Sequence, residues 1–213
     1  MSFFKAIGRL PWSARIGLLI LSFFAMCILF APWIAPYGES QIVGDVWEPI
    51  GGTFLFGTDQ IGRDLLSRLV YGARNTISLA LLTTALAFLI GGLLGFLAAT
   101  MRGWVDQLLS RFVDIIISIP TLIFALIVLS AVGTSIPVLI SVIGLVYAMP
   151  VYRIARAVAM DIEIMDYVEV ARLRGEGLWW IMRREILPNA LTPLAAEFGL
   201  RFCFVFLLIS GLS

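Results

Sequence analysis

The sequence predicts an all-α, polytopic membrane protein, and three observations carry that prediction. Of 213 residues, 61% are hydrophobic and only 14% are charged, where soluble domains run about 45–50% apolar and about 25% charged. Mean hydropathy is +1.01. Charge-free apolar runs long enough to cross a bilayer recur along the chain, with polar stretches between them.

The first run carries no charge between Arg15 and Glu39, and Ile16 to Ile34 is almost wholly apolar. At a helical rise of about 1.5 Å per residue it covers a hydrocarbon core of about 30 Å. It exceeds the apolar stretch of a signal peptide, so 1–15 reads as a tail and 16–35 as a retained first span. The second run, between Arg74 and Arg102, predicts a span over 76–101; Gly91, Gly92 and Gly95 inside it allow close helix approach. The third, Ile115 to Tyr152, is too long for one crossing. Gly133-Thr134-Ser135-Ile136-Pro137 supplies a turn, so spans 114–132 and 136–152 form a hairpin. Ser118-Ile119-Pro120-Thr121 and Met149-Pro150 read as kinks. The last run starts near Ala190 and is still apolar at Ser213, giving a fifth span over 190–213 and the expectation that the polypeptide is truncated.

Charge orients these spans. With the N-terminus in the cytoplasm, the inner segments carry Lys5, Arg9, Arg15, Arg102, Arg111, Arg153, Arg156, Arg172, Arg174, Arg183 and Arg184. The outer loop over 36–75 carries only Arg63, Arg68 and Arg74, beside Glu39, Asp45, Glu48, Asp59 and Asp64. Eleven cations against three satisfy the positive-inside rule and place the loop over 160–189 in the cytoplasm.

Several function classes drop out. The chain has no histidine, the commonest metal ligand and neutral-pH base. Net charge is +1 with no basic patch beyond paired arginines, which argues against nucleic acid. Cys27 and Cys203 lie in apolar runs without a CxxC partner and read as small hydrophobes. No GxxxxGK[ST] phosphate loop and no nucleophile–base pair occurs, so no catalytic, cofactor or metal residue is assigned.

Two polar segments carry the functional signal. In the loop over 160–189, Tyr167 to Arg174 suits a short helix that Gly175 ends, since glycine adopts the left-handed conformation of a helix C-terminus. Leu178 to Ile186 suits a second helix, and Pro188 stands where the next span begins. Physics alone leaves two readings, a docking arm or an amphipathic loop on the headgroups, which Trp179 and Trp180 also suit. In the outer loop, Thr58 or Asp59 can cap an interfacial helix over 58–74 whose Ile61, Leu65, Leu66 and Leu69 form an apolar stripe, with Arg63 and Arg68 on the polar side.

Glu197 and Arg201 lie four apart in the last span, in the favourable order for a helix pair. Arg201 falls about 15 Å along the helix from Leu191, near mid-membrane. Such residues face a bundle interior or an aqueous cavity. A self-neutralising structural pair and a place lining an aqueous path through the bundle both fit.

The first segment resembles the EAA loop of permease subunits in bacterial ATP-binding-cassette (ABC) importers. Glu169 matches that loop's Glu, Ala171 its second Ala, Gly175 its Gly, and Leu187-Pro188 its Leu-Pro; Val170 stands for the first Ala, and Glu185 stands where many members have Ile. The string Gly57-Thr58-Asp59-Gln60-Ile61-Gly62-Arg63-Asp64-Leu65-Leu66-Ser67-Arg68 resembles the GTDxxGRDxxSR stretch of the dipeptide, oligopeptide and nickel permease family, of the subunit type with a short N-terminus. The resemblance implies a type I ABC importer transmembrane domain, with about five spans visible of an expected six. It implies a non-catalytic subunit of the bacterial inner membrane that moves peptides or a related solute, such as a nickel chelate, a glutathione-like thiol or a sugar. It implies four kinds of partner: a second, homologous permease, two cytoplasmic ATPase subunits that bind ATP and Mg, a periplasmic or lipid-anchored solute-binding protein, and the bilayer. The rival readings are an ion-gradient-driven secondary transporter, which should show inverted repeats and acidic residues in broken helices, and a non-transporting membrane scaffold.

Overall fold

A computed structural model describes residues 11–212; Lys5 and Arg9 of the tail and Ser213 of the last span lie outside the described residues. The fold divides into two compact units, Met1–Ser78 and Leu79–Ser213. The described residues form helices and loops with no β-strand, only three isolated bridges in the loop that precedes Leu65.

In the first unit, α1 (Trp12–Ile34) is a single apolar helix carrying Pro32 in its last turn. A loop over 35–64 leads to α2 (Leu65–Met101), whose early turns belong to this unit. The sequence suggested a separate helix from Thr58 and a span from 76; the structure has one helix of 37 residues beginning at Leu65. Asp64 sets that start: its Oδ2 accepts the Ser67 N–H at 2.8 Å, which satisfies one of the orphan donors of the first turn. No proline interrupts Leu69 to Met101, so nothing breaks the helix near residue 75.

The second unit is built around α5 (Ile136–Glu163). Here α2 approaches α5 so closely that a Cβ on Gly91 would sit 2.3 Å from the Ala148 carbonyl oxygen, and one on Gly95 2.8 Å from that of Tyr152. Gly91-x-x-x-Gly95 is therefore a backbone-contact seam of the small-residue type. Gly92 points away from it, into open space.

Between these helices, α3 (Gly103–Ile117) and α4 (Thr121–Val132) meet at an 86° bend. The expected straight span over 114–132 is thus broken. Pro120 offers no N–H and disfavours the α conformation at Ile119, which ends α3. At 12 residues, α4 rises about 18 Å, short of the core thickness. The pair still carries the chain along the whole of α5. At one end Arg102 reaches Glu163, the last residue of α5; at the other Gly133 leads into its first turn. Two ion pairs, Asp106–Arg156 and Asp114–Arg153, fasten α3 to α5, and the Ser110 and Tyr152 hydroxyls lie 2.9 Å apart.

After α6 (Asp166–Leu173) comes α7 (Leu178–Ile181), which runs through a π-helical turn over Met182–Ile186 into α8 (Leu187–Leu212). Leu178 to Leu212 is therefore one rod of 35 residues, where the sequence suggested a short helix and then a span. Pro188 is the second residue of α8, where the sequence placed it, but the chain is already helical before it. Its ring would clash with the Arg184 carbonyl in a regular α-turn, and the wider π turn falls at that place. The side-chain amide of Asn189 donates to the Glu185 carbonyl at 2.7 Å within the same irregular stretch. Four helices, α1, α2, α5 and the Leu178–Leu212 rod, are long and apolar enough to cross a membrane, and the bent pair makes a fifth candidate.

Candidate functional site

The loop over 160–189 is anchored on one face and open on the other. Val168 of α6 is fully buried in a cluster with Ala159 and Ile162 of α5 and Ile181 and Met182 of the following segment. Ala171, on the same face, is also fully buried, so a larger side chain there would have to displace its neighbours. Glu169 and Val170 face solvent. Asp166 and Glu169 sit in the first turn and Arg172 in the last, each matched to the partial charge of its helix end.

The end of α6 is a complete Schellman motif. Gly175 N–H donates to the Arg172 carbonyl at 2.9 Å, and Glu176 N–H to that of Ala171 at 3.2 Å. Gly175 has φ +83°, in the region that costs side-chain-bearing residues about 1–2 kcal/mol. The expectation drawn from its position, a left-handed glycine closing the helix, describes what the backbone does. Beyond it Arg174 stacks over Trp180, 6.0 Å from the ring centroid, while Trp179 remains exposed. Leu187 and Pro188 lie on the exposed surface of the continuous rod.

The residue that sequence reading missed is Glu163. Its side chain is inaccessible to solvent, and it takes ion pairs from Arg102 at 2.9 Å and from Arg172. One carboxylate thereby joins the last residue of α5, the α2–α3 joint and α6. Arg102 itself has φ +51°, an uncommon conformation for a residue with a side chain. Glu163 lies between Asp161 and Asp166, and nothing local sets it apart from them. The useful hint was its place among Arg102, Arg153, Arg156 and Arg172, in a segment where a buried acid needs a cation.

In the loop over 35–64 and the first turn of α2, the eight signature residues Gly57, Thr58, Asp59, Gly62, Arg63, Asp64, Ser67 and Arg68 build a self-supporting turn. Thr58 Oγ1 accepts the Glu48 N–H at 2.8 Å and donates to the Asp45 carbonyl at 2.6 Å. Asp59 Oδ1 accepts the N–H groups of Ile61 and Arg63, both at 2.9 Å. Its Oδ2 receives Arg63 Nε at 2.8 Å and Arg68 at 2.7 Å. The two arginines thus converge on Asp59, where a helical reading put them together on a polar face. Burial raises the Asp59 pKa, but the donated N–H groups and the Arg63 guanidinium outweigh it, and the carboxyl is held well below the usual carboxylate range. Asp64 Oδ2 also takes the Ser67 hydroxyl at 2.6 Å, and that hydroxyl oxygen accepts the Tyr37 N–H at 3.1 Å. Gly57 and Gly62 let other strands of the loop pass: a Cβ would come within 2.3 Å of the Glu48 carbonyl and 2.2 Å of the Gly44 carbonyl, respectively. The string is a folding device in which the side chains of Thr58, Asp59, Arg63, Asp64, Ser67 and Arg68 close the loop.

Glu197 and Arg201 pair with each other within α8, both largely buried. Among the described residues no group of three His, Cys, Asp or Glu side chains is placed to hold a metal ion.

A helical membrane domain with an exposed, rigidly ended loop helix tied to its longest helices defines a class, and comparison places it. The chain belongs to the family of binding-protein-dependent transport system inner membrane components, which matches residues 91–213, more than half its length. The N-terminal transmembrane domain of oligopeptide transport permease C matches residues 12–45. It is thus a multi-pass inner membrane protein. Among its relatives, the di/tripeptide transport system permease protein DppC of Pseudomonas aeruginosa is 36% identical over 87% of this chain and 64% of its own length. The dipeptide transport system permease protein DppC of Haemophilus influenzae is 31% identical over 86% of this chain and 65% of its own. The glutathione transport system permease protein GsiD of Pectobacterium atrosepticum is 25% identical over 99% and 70%. The chain spans slightly under two thirds of the length of the first two relatives.

Proposed function

We propose that the chain is a transmembrane permease subunit of an ABC importer, taking up peptides or a related small solute. The observation that carries this reading is the tie between α6 and the membrane helices. An exposed helix, stopped by a glycine and held by Val168 and by Arg172 on Glu163, is suited to pass a push from a soluble partner into α2 and α5. In this reading Glu169, Ala171 and Gly175 present and aim the docking helix, and Leu187-Pro188 mark the π turn through which the rod leaves the loop. The subunit does no chemistry. ATP and Mg sit on two cytoplasmic ATPase partners, a binding protein delivers solute from outside, and a second, homologous permease completes the pathway.

The N-terminus and the loop over 160–189 lie in the cytoplasm, a reading supported by the eleven-to-three distribution of cations. The outer loop, closed by Asp59 and Asp64, offers a firm surface to the binding protein. Glu197 and Arg201 neutralise each other inside the bundle, supported by their mutual ion pair. Peptide as solute class is supported by the names of the relatives, while the glutathione permease among them keeps the class broad.

The test is solute-stimulated ATP hydrolysis in reconstituted complexes. Gly175→Val adds a β-branched side chain where φ is positive, so it should leave insertion and assembly intact and abolish the stimulation. Normal stimulation in a correctly assembled Gly175→Val complex would overturn the coupling role.

A further inference from the structure

We propose that the cleft between α2 and the Leu178–Leu212 rod is a binding site for one anionic phospholipid, its acyl chain in the cleft and its phosphate on Arg183. The cleft has a volume of about 630 Å³, and its fourteen lining residues are apolar apart from Arg183. Its extent along α2, from Ala85 to Phe96, is eleven residue steps, about 16 Å. One leaflet of a hydrocarbon core is about 15 Å deep. The cleft is therefore one acyl chain long.

Its two ends differ in chemistry. Toward one end the rings of Phe88 and Phe198 stand 5.1 Å apart and narrow it. At the other, Phe96 and Met182 share a buried cluster, and Trp179 and Arg183 form the rim. Leu187–Leu212 alone rises about 39 Å, so a residue one turn before it stands at headgroup level. An exposed tryptophan belongs at that level. Arg183 is exposed and, like Arg111, Arg174 and Arg184, has no carboxylate partner among the described residues, whereas Arg102, Arg153, Arg156, Arg172 and Arg201 of this unit are paired; of the four, Arg183 alone lines the cleft. No acidic residue lines the cleft. An unpaired cation at the mouth of an otherwise apolar groove is complementary to a lipid that carries a negative headgroup on an apolar tail.

Gly92 keeps the cleft open. It lines the groove, and a Cβ built on it meets nothing within 4 Å, in contrast to Gly91 and Gly95, which face the backbone of α5. A leucine there would fill the groove without disturbing the α2–α5 seam.

The experiment is native mass spectrometry of the full chain purified through mixed micelles of phosphatidylglycerol and phosphatidylcholine in equal amounts. The wild type should retain one phosphatidylglycerol, preferred about fivefold, the bias that one basic residue gives an anionic headgroup. Arg183→Gln should bring the two lipids to parity. Arg184→Gln, exposed but outside the cleft, should keep the preference. Gly92→Leu should lower retention of both lipids several-fold. Unchanged preference in Arg183→Gln or unchanged retention in Gly92→Leu would overturn the proposal. So would a lipid-free wild type, or a lipid-free dimer mass, which would give the cleft to a protein segment or to a second copy.

Discussion

The carboxylate of Glu163, sealed from solvent at the last residue of α5, accepts the guanidinium of Arg172 on α6. Nine residues separate the two in sequence, yet one ends a helix that runs the length of the second unit and the other lies in the short helix beside it. Its other oxygen receives Arg102 at 2.9 Å, so three helix ends meet at one negative charge.

Glu163→Gln should uncouple. The neutral amide keeps the shape but removes the charge that both arginines face. Because Arg102 and Arg172 are 60% and 41% exposed, they return to water, and the loss stays at about 1–2 kcal/mol, well below that of a pair buried on both sides. Hydrogen exchange over Tyr167–Leu173 should rise about tenfold while the rest of α5 is unchanged. An unaltered exchange pattern would show that Val168 alone holds α6.

The glycines of α2 should divide by face. Gly91→Ala and Gly95→Ala drive a methyl into the backbone of α5 and should each destabilise by about 1–3 kcal/mol, the range of overpacking. Gly92→Ala meets open space and should be neutral or stabilising by up to about 1 kcal/mol through helix propensity. Thermal unfolding in detergent checks this, and equal effects at the three positions would refute the seam.

This contrast shows how far the sequence could be read. Apolar runs reported where the membrane helices lie, because a bilayer demands some twenty apolar residues and nothing else in the chain supplies them. They also showed three small residues in α2, but not which of them touch α5, since that depends on a helix far along the chain. Gly175 was legible because a left-handed C-terminus is local. The fold of the outer loop was not. Its bonds run from Thr58 to Glu48 and Asp45 and from Asp59 to Arg68, and a helical stripe was the simplest local pattern for the same residues. Glu163 was silent for the same reason: Arg102 lies 61 residues away. The π turn was hidden too, because Pro188 suits a helix start as well as a widened interior turn.

Glu197 and Arg201 should be dispensable together. Glu197→Gln with Arg201→Leu removes both charges, so uptake should stay near the wild-type level. Either single change strands a largely buried charge and should cost several kcal/mol of stability. Uptake lost in the double variant, with assembly and basal ATP hydrolysis preserved, would move both residues onto the solute path.

The most direct test of the account asks whether α6 touches an ATPase from the cytoplasm. Glu169→Cys, in a chain with Cys27→Ser and Cys203→Ser, should react with an impermeant thiol reagent in inverted vesicles but not in right-side-out ones. In the assembled complex it should cross-link to the ATPase subunit, with a yield that changes when ATP is added. Labelling only from the outer face, or an intact complex in which position 169 never cross-links to the ATPase, would contradict the docking role on which the rest depends.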